Sequence, residues 1–117
     1  MQKVINNIKD ERFKTYIIWL PMLQSDNRAA AIKRSNEFTD PRVIHYWDGD
    51  QVTGKTWQKL MNIPRVAWDI YFLYGSDSEW DTEPTKPDFY MHQLRGLPRE
   101  LMLDEAELEK KAREILK

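Results

Sequence analysis

Val4, Ile5 and Ile8 recur at i, i+1 and i+4 within residues 3–12, the spacing of a short amphipathic helix. The period then changes. Residues 14–20 are β-branched and aromatic without alternation, which predicts a strand covered on both faces, ended by Pro21. Ser25 or Asp26 can cap a second helix, with Ala31, Ile32, Ser35 and Phe38 on one face. After the Asp40-Pro41 break, Val43–Trp47 reads as another buried strand, and Asp48-Gly49-Asp50 turns the chain. Trp57, Leu60 and Met61 give a short helix stopped before Pro64. Residues 67–74 form the strongest strand pattern in the chain. A polar loop over 75–87 follows, then a returning strand over 88–94 that completes a hairpin. Gly96 and Pro98 close that hairpin. Asp104 and Glu107 open the last helix as a capping box, and Leu108, Ala112 and Ile115 make its apolar stripe. Glu107–Lys111 and Glu109–Arg113 pairs stand on its wet side, with Lys110-Lys111 a solvated run.

The predicted order is α-β-α-β-α-β-β-α, without repeats or linkers. With 117 residues it is a single domain spanning 1–117. A formal net charge of −1 with interspersed signs offers no field for nucleic acid or an anionic membrane. The longest apolar run, residues 17–23, is far too short to span a bilayer, and no secretory leader is visible, so the chain reads as cytoplasmic. No cysteine is present, which excludes disulfides and thiol chemistry; His45 and His92 lie far apart, so neither a metal nor a cofactor is expected. Aromatic residues reach 12%, and those rings need a core or an interface.

Three groups of residues carry candidate chemistry. Gly49–Thr56 spells G-x-x-x-x-G-K-T between a strand and a helix, the lettering of a phosphate-binding loop with Gly49, Gly54, Lys55 and Thr56 in the motif positions. Against it stand Asp50 inside the loop, a following helix of few turns, and no strand ending in a suitable Asp. Trp47-Asp48 and Trp68-Asp69 place two indole–carboxylate pairs at strand ends. With His45 or His92 these carboxylates could form an acid–base pocket for a small polar ligand, or simply cap turns and bond the indoles. His45 sits among apolar residues as a core histidine would, whereas His92 is open to solvent or an interface. Trp80, in the polar loop near Tyr74, Phe89 and Tyr90, is either an exposed anchor or a pin that holds the loop to the hairpin.

The phrases WLPML (19–23), DPRVIHYWD (40–48) and AWDIYFLYG (67–75) resemble thioredoxin-like proteins, in particular the peroxiredoxin and cytochrome-maturation subclass with an inserted α-β unit. The resemblance covers roughly residues 3–117. It implies an α/β three-layer sandwich truncated at its N-terminus, with a mixed sheet of about four strands and helices on both faces. On that alignment the first central strand and its Cys-x-x-Cys lie upstream of Met1, and Val66-Ala67 stands where the family carries a proline. Redox activity transfers to no position here, and export of longer relatives stays open. The missing strand would pair between residues 14–20 and 67–74, leaving two apolar edges that are rejoined or filled by another chain. The expectation is a non-catalytic binding or assembly module, a homodimer that uses Trp19, Trp47, Trp68, Trp80 and Tyr74, with a protein or small molecule as a further partner. An Asp/His enzyme and a nucleotide binder are the alternatives.

Overall fold

The computed structural model describes residues 2–22, 27–37, 40–80 and 83–117. Its elements follow the expected order: α1 (Gln2–Asn7), β1 (Thr15–Trp19), α2 (Arg28–Ser35), β2 (Val43–Trp47), α3 (Val52–Met61), β3 (Ile70–Leu73), β4 (Phe89–His92), a 3-10 turn at Arg99–Leu101, and α4 (Glu105–Leu116). The fold is a small mixed α/β one. The expected mixed sheet of about four strands is not formed. β1 pairs with β2 in parallel, β3 pairs with β4 in antiparallel, and among the described residues no ladder joins the two pairs.

Several boundaries move for identifiable reasons. The strand expected over 67–74 shrinks to Ile70–Leu73 because Asp69 adopts a left-handed φ of 54°, which breaks extension just before it. The helix expected only around Trp57–Met61 begins at Val52, where the Asp48 carboxylate accepts from the Val52 and Thr53 amides. Ser25 and Asp26 lie outside the described residues, as does Phe38. The α2 cap is Asn27, whose side chain accepts from the Ala30 amide at 2.8 Å. Ile32, expected on the buried face of α2, is exposed, and Ala31 is buried instead. The α4 cap is Asp104, as its spacing predicts. Arg113 meets Glu109, whereas Lys111 reaches Glu114 and lies over the Phe89 ring.

One core lies beneath both strand pairs. Val4 and Ile5 of α1, Ile8 just after it, and Leu108 and Ala112 of α4 pack with Val43 of β2, Leu73 of β3 and Met91 of β4, and Ile17 of β1 joins them. Burying each large aliphatic side chain stabilises the fold by roughly 1.5–3 kcal/mol. The inner face of β1–β2 and the inner face of β3–β4 therefore contribute to one core with α1 and α4. Register confirms the faces: Tyr71, Leu73, Met91 and Phe89 look toward α1 and α4, while Phe72 and Tyr90, paired with each other, look the other way.

Arg42 ties the start of β2 to α1. Its buried guanidinium donates to the carbonyls of Ile5 in the last turn of α1 and of Ile8 and Asp10 just beyond it, and it also engages the Asp40 carboxylate. Asp10 and Arg12 repeat the same Asp-x-Arg pairing on the surface. In both carboxylates the hydrogen bond from the neighbouring Arg side chain holds the pKa at about 2.

On the side away from the core, α3 crosses between the pairs. Gly54 sits there because a β-carbon would fall 2.7 Å from Leu20 Cδ2, 3.0 Å from the Ala67 carbonyl and closer still to Val66 Cγ1. The Ala67 amide donates to the Gly54 carbonyl at 3.0 Å. The C-terminal end of β1 and the approach to β3 thus converge on one turn of α3.

Candidate interaction surface

The most exposed apolar surface of the described residues is the outer face of β1–β2. Tyr16 pairs in register with Ile44, and Ile18 with Tyr46, so these four share a face. Tyr16 is 59% exposed and Tyr46 52%, and their rings lie 6.4 Å apart in a stacked arrangement. Ile44, and Ile32 on α2, are exposed as well. The expectation that β1 is covered on both faces is therefore corrected at Tyr16, which is exposed, while Ile17, Ile18 and Trp19 are all partly buried. Alternation is present in β2, where Ile44 and Tyr46 are exposed between less exposed neighbours.

Backbone groups of β1 are open too. The Thr15 amide donates to the Arg42 carbonyl and the Asp48 amide to the Trp19 carbonyl, so Thr15, Ile17 and Trp19 turn their polar groups toward β2. Tyr16 and Ile18 turn theirs to the opposite edge. In β3, the Asp69 carbonyl accepts from Gln93 and that of Leu73 from Asp88, which leaves Ile70 and Phe72 facing away from β4. The far edge of β4 is already occupied, since the Leu103 amide donates to the His92 carbonyl at 2.7 Å and Met102 bridges His92. Among the described residues no strand pairs with the outer edge of β1 or of β3.

The second aromatic cluster is on the outer side of β3–β4. Trp57 of α3 stacks on Phe72 at 5.7 Å and meets Trp80 edge-on at 5.5 Å, and Trp80 also meets Tyr74 at 5.2 Å. The Trp57 indole donates to the Tyr74 hydroxyl at 3.1 Å, and that hydroxyl donates to the Thr85 carbonyl. Burial first, and the Asp88 charge after it, raise the Tyr74 pKa against the opposing pull of the Trp57 N–H. Trp80 is thus a pin for its loop while staying 53% exposed. Trp57 was read only as the apolar face of its helix and Tyr90 only as a neighbour of Trp80, and Phe72 was not singled out; the period-two positions of the hairpin were the available signal for the last.

The remaining candidates are placed separately. Trp19 stacks on His45 at 6.1 Å and donates its indole N–H to Nδ1 at 3.1 Å. The Trp47 indole lies against Gly49, and Trp68 is half-buried. His92, expected near solvent or an interface, is completely buried. Its Nδ1 accepts from the Leu94 amide at 3.1 Å, which leaves Nε2 to donate to the Pro98 carbonyl at 2.7 Å. Both ring nitrogens therefore serve the turn after β4. Asp48 is engaged by the amides of Val52 and Thr53 and by the Thr53 hydroxyl. Burial alone would raise its pKa, but these hydrogen bonds outweigh burial and lower it. Asp69 has its pKa raised by burial. His45 and His92 stand in different strand pairs, and two clefts of about 380 and 280 Å³ beside α1 are lined by none of these four residues.

In the Gly49–Thr56 segment, Gln51 takes a left-handed φ of 59° and α3 starts at Val52, so Gly54, Lys55 and Thr56 lie inside the helix. The amides that would meet a phosphate at that helix start are occupied by the Asp48 carboxylate. No group of three or more His, Asp or Glu among the described residues could hold a metal ion, and no described helix is long and apolar enough to cross a membrane. No family model, no curated protein and no solved structure matches this chain.

Proposed function

We propose that this chain is a non-catalytic binding or assembly module, a truncated thioredoxin-like layer that works through β1 and associates as a homodimer. One observation carries the reading: β1 is open on an edge and on a face at once. The strand exposes Tyr16 beside Tyr46 and Ile44 on the face away from the core, where a soluble monomer normally shows only scattered apolar residues. A two-fold axis through this face would bury the two tyrosine rings against their copies.

The alternatives receive less support. An Asp/His pocket needs a carboxylate and an imidazole in reach of one ligand, whereas Asp48 is committed to a helix cap and His92 to a turn. Nucleotide binding needs free amides at the start of α3, and a carboxylate occupies them.

Sedimentation equilibrium over roughly micromolar to hundreds of micromolar protein tests the module reading. The expected result is a concentration-dependent dimer that Tyr16→Lys together with Tyr46→Lys returns to monomer without loss of helical circular dichroism. A monomer at every concentration would end the dimer reading.

A further inference from the structure

The loop between β3 and β4 is long for a hairpin, yet it is tied down along its length. At its base the Gly75 amide donates to the Asp88 carboxylate at 2.6 Å. The Tyr74 hydroxyl donates to the Thr85 carbonyl, and Trp80 meets both Trp57 and Tyr74 edge-on, at 5.5 and 5.2 Å. A loop held in this way has lost its conformational entropy on folding, so a ligand that meets it does not bear that cost again.

Trp80 is nevertheless 53% exposed. Trp57 has Phe72 stacked on it at 22°, whereas both rings that touch Trp80 stand steeply to it, at 65° and 71°. Among the described residues, no ring lies flat over the Trp80 indole. The loop around it is acidic. Residues 75–88 hold five acidic side chains and one lysine, in a chain whose formal net charge is −1. Asp77, Glu79 and Glu83 are exposed, and among the described residues none of them enters an ion pair.

We propose that Trp80, with the carboxylates of Asp77, Glu79 and Glu83 on either side of it along the loop, is a docking site for a basic segment of another polypeptide that lays an arginine over the indole. A bare acidic loop would attract any cation loosely, and a bare tryptophan any apolar surface. Together they select a side chain that is both cationic and planar. A guanidinium lies against the negative face of the indole and turns its N–H fork to a carboxylate. Lysine brings a point charge without a plane, so it is the weaker occupant. An apolar segment would have to desolvate those carboxylates without pairing them. The site belongs to α3 and the β3–β4 loop rather than to β1, so it goes beyond the dimer reading and does not need it.

The probe is a short blocked peptide alternating arginine and glycine. Its control carries citrulline at every arginine, which keeps the planar end group and removes the charge. Nitrogen–proton correlation spectra of the intact chain at low salt are followed at the Trp80 indole and at the Asp77 and Glu79 amides. The expected result is a saturable shift of these signals with the arginine peptide and none with the citrulline peptide. Trp80→Leu should weaken binding about two- to fivefold, as for an exposed cation–π contact. Glu79→Gln should weaken it by a similar factor, about that of an exposed ion pair, and it tests the site even if Trp80→Leu loosens the loop. No saturable shift, an equal response to citrulline, or unchanged affinity in either variant would overturn the proposal and leave the dimer reading intact. A Trp80 shift that grows with protein concentration and needs no peptide would also overturn it, since a second copy would then be the occupant.

Discussion

The β3–β4 pair and the β1–β2 pair have nearly the same size and share one core, yet they are finished differently. Outside β3–β4, Trp57, Phe72, Trp80 and Tyr74 pack on one another, and the far edge of β4 is closed by Met102 and Leu103. Outside β1–β2, Tyr16, Ile44 and Tyr46 meet solvent, and among the described residues no strand pairs with the outer edge of β1. Aromatic content alone does not separate the halves. What separates them is where α3 lies, because its Trp57 covers one pair and leaves the other bare.

The comparison can be broken most directly in the shared core. Ile8→Ala and Leu108→Ala remove fully buried side chains and should each destabilise the fold by about 2–5 kcal/mol in urea denaturation. Equal losses from both would show that the two halves unfold together, whereas two separate transitions would show that they do not. Gly54→Ala comes next. Its methyl has no room between Leu20 and Val66, so a loss of about 1–3 kcal/mol is expected despite the gain in helix propensity. His92→Phe keeps the ring volume but strands the Leu94 amide and the Pro98 carbonyl, for about 1–3 kcal/mol by thermal melting.

Smaller effects sharpen the picture through pH. Asp10 and Asp40 have folded pKa values near 2, below the ordinary 3.8, so their stabilisation is complete above 3.8 and fades as pH falls toward 2. Asp40→Asn should flatten the acid side of the melting-temperature profile between those values. Asp69 carries the opposite sign. Its raised pKa means that stability is lost as pH rises through the ordinary carboxylate range, and Asp69→Asn should recover at most about 0.5 kcal/mol at neutral pH. Asn also tolerates the left-handed backbone at that position.

Element order and type were legible in the sequence, because helical stripes such as Leu108 and Ala112 and runs such as Val43–Trp47 state their period directly. The Asp104 cap was legible too. The β3–β4 hairpin was legible as well, whereas the β1–β2 pairing was not, since hydrogen bonds between β1 and β2 leave no signature in either strand alone. The surface was misread for a related reason: Tyr16 and Tyr46 are exposed yet aromatic, so period-two alternation was hidden. Arg42 was overlooked because a buried guanidinium is recognised by the carbonyls it meets, and those belong to a helix more than thirty residues earlier. The motif at Gly49–Thr56 shows the converse, since its letters match while its geometry is an ordinary capped helix.

Arg113 near the end of α4 donates to the carbonyl of Asn7 at the end of α1, and Leu108 and Ala112 complete the core around Val4 and Ile5. The core around α1 is therefore completed by the element most distant from it among those described, and a growing chain carries the Val4 and Ile5 face only partly covered until α4 has emerged.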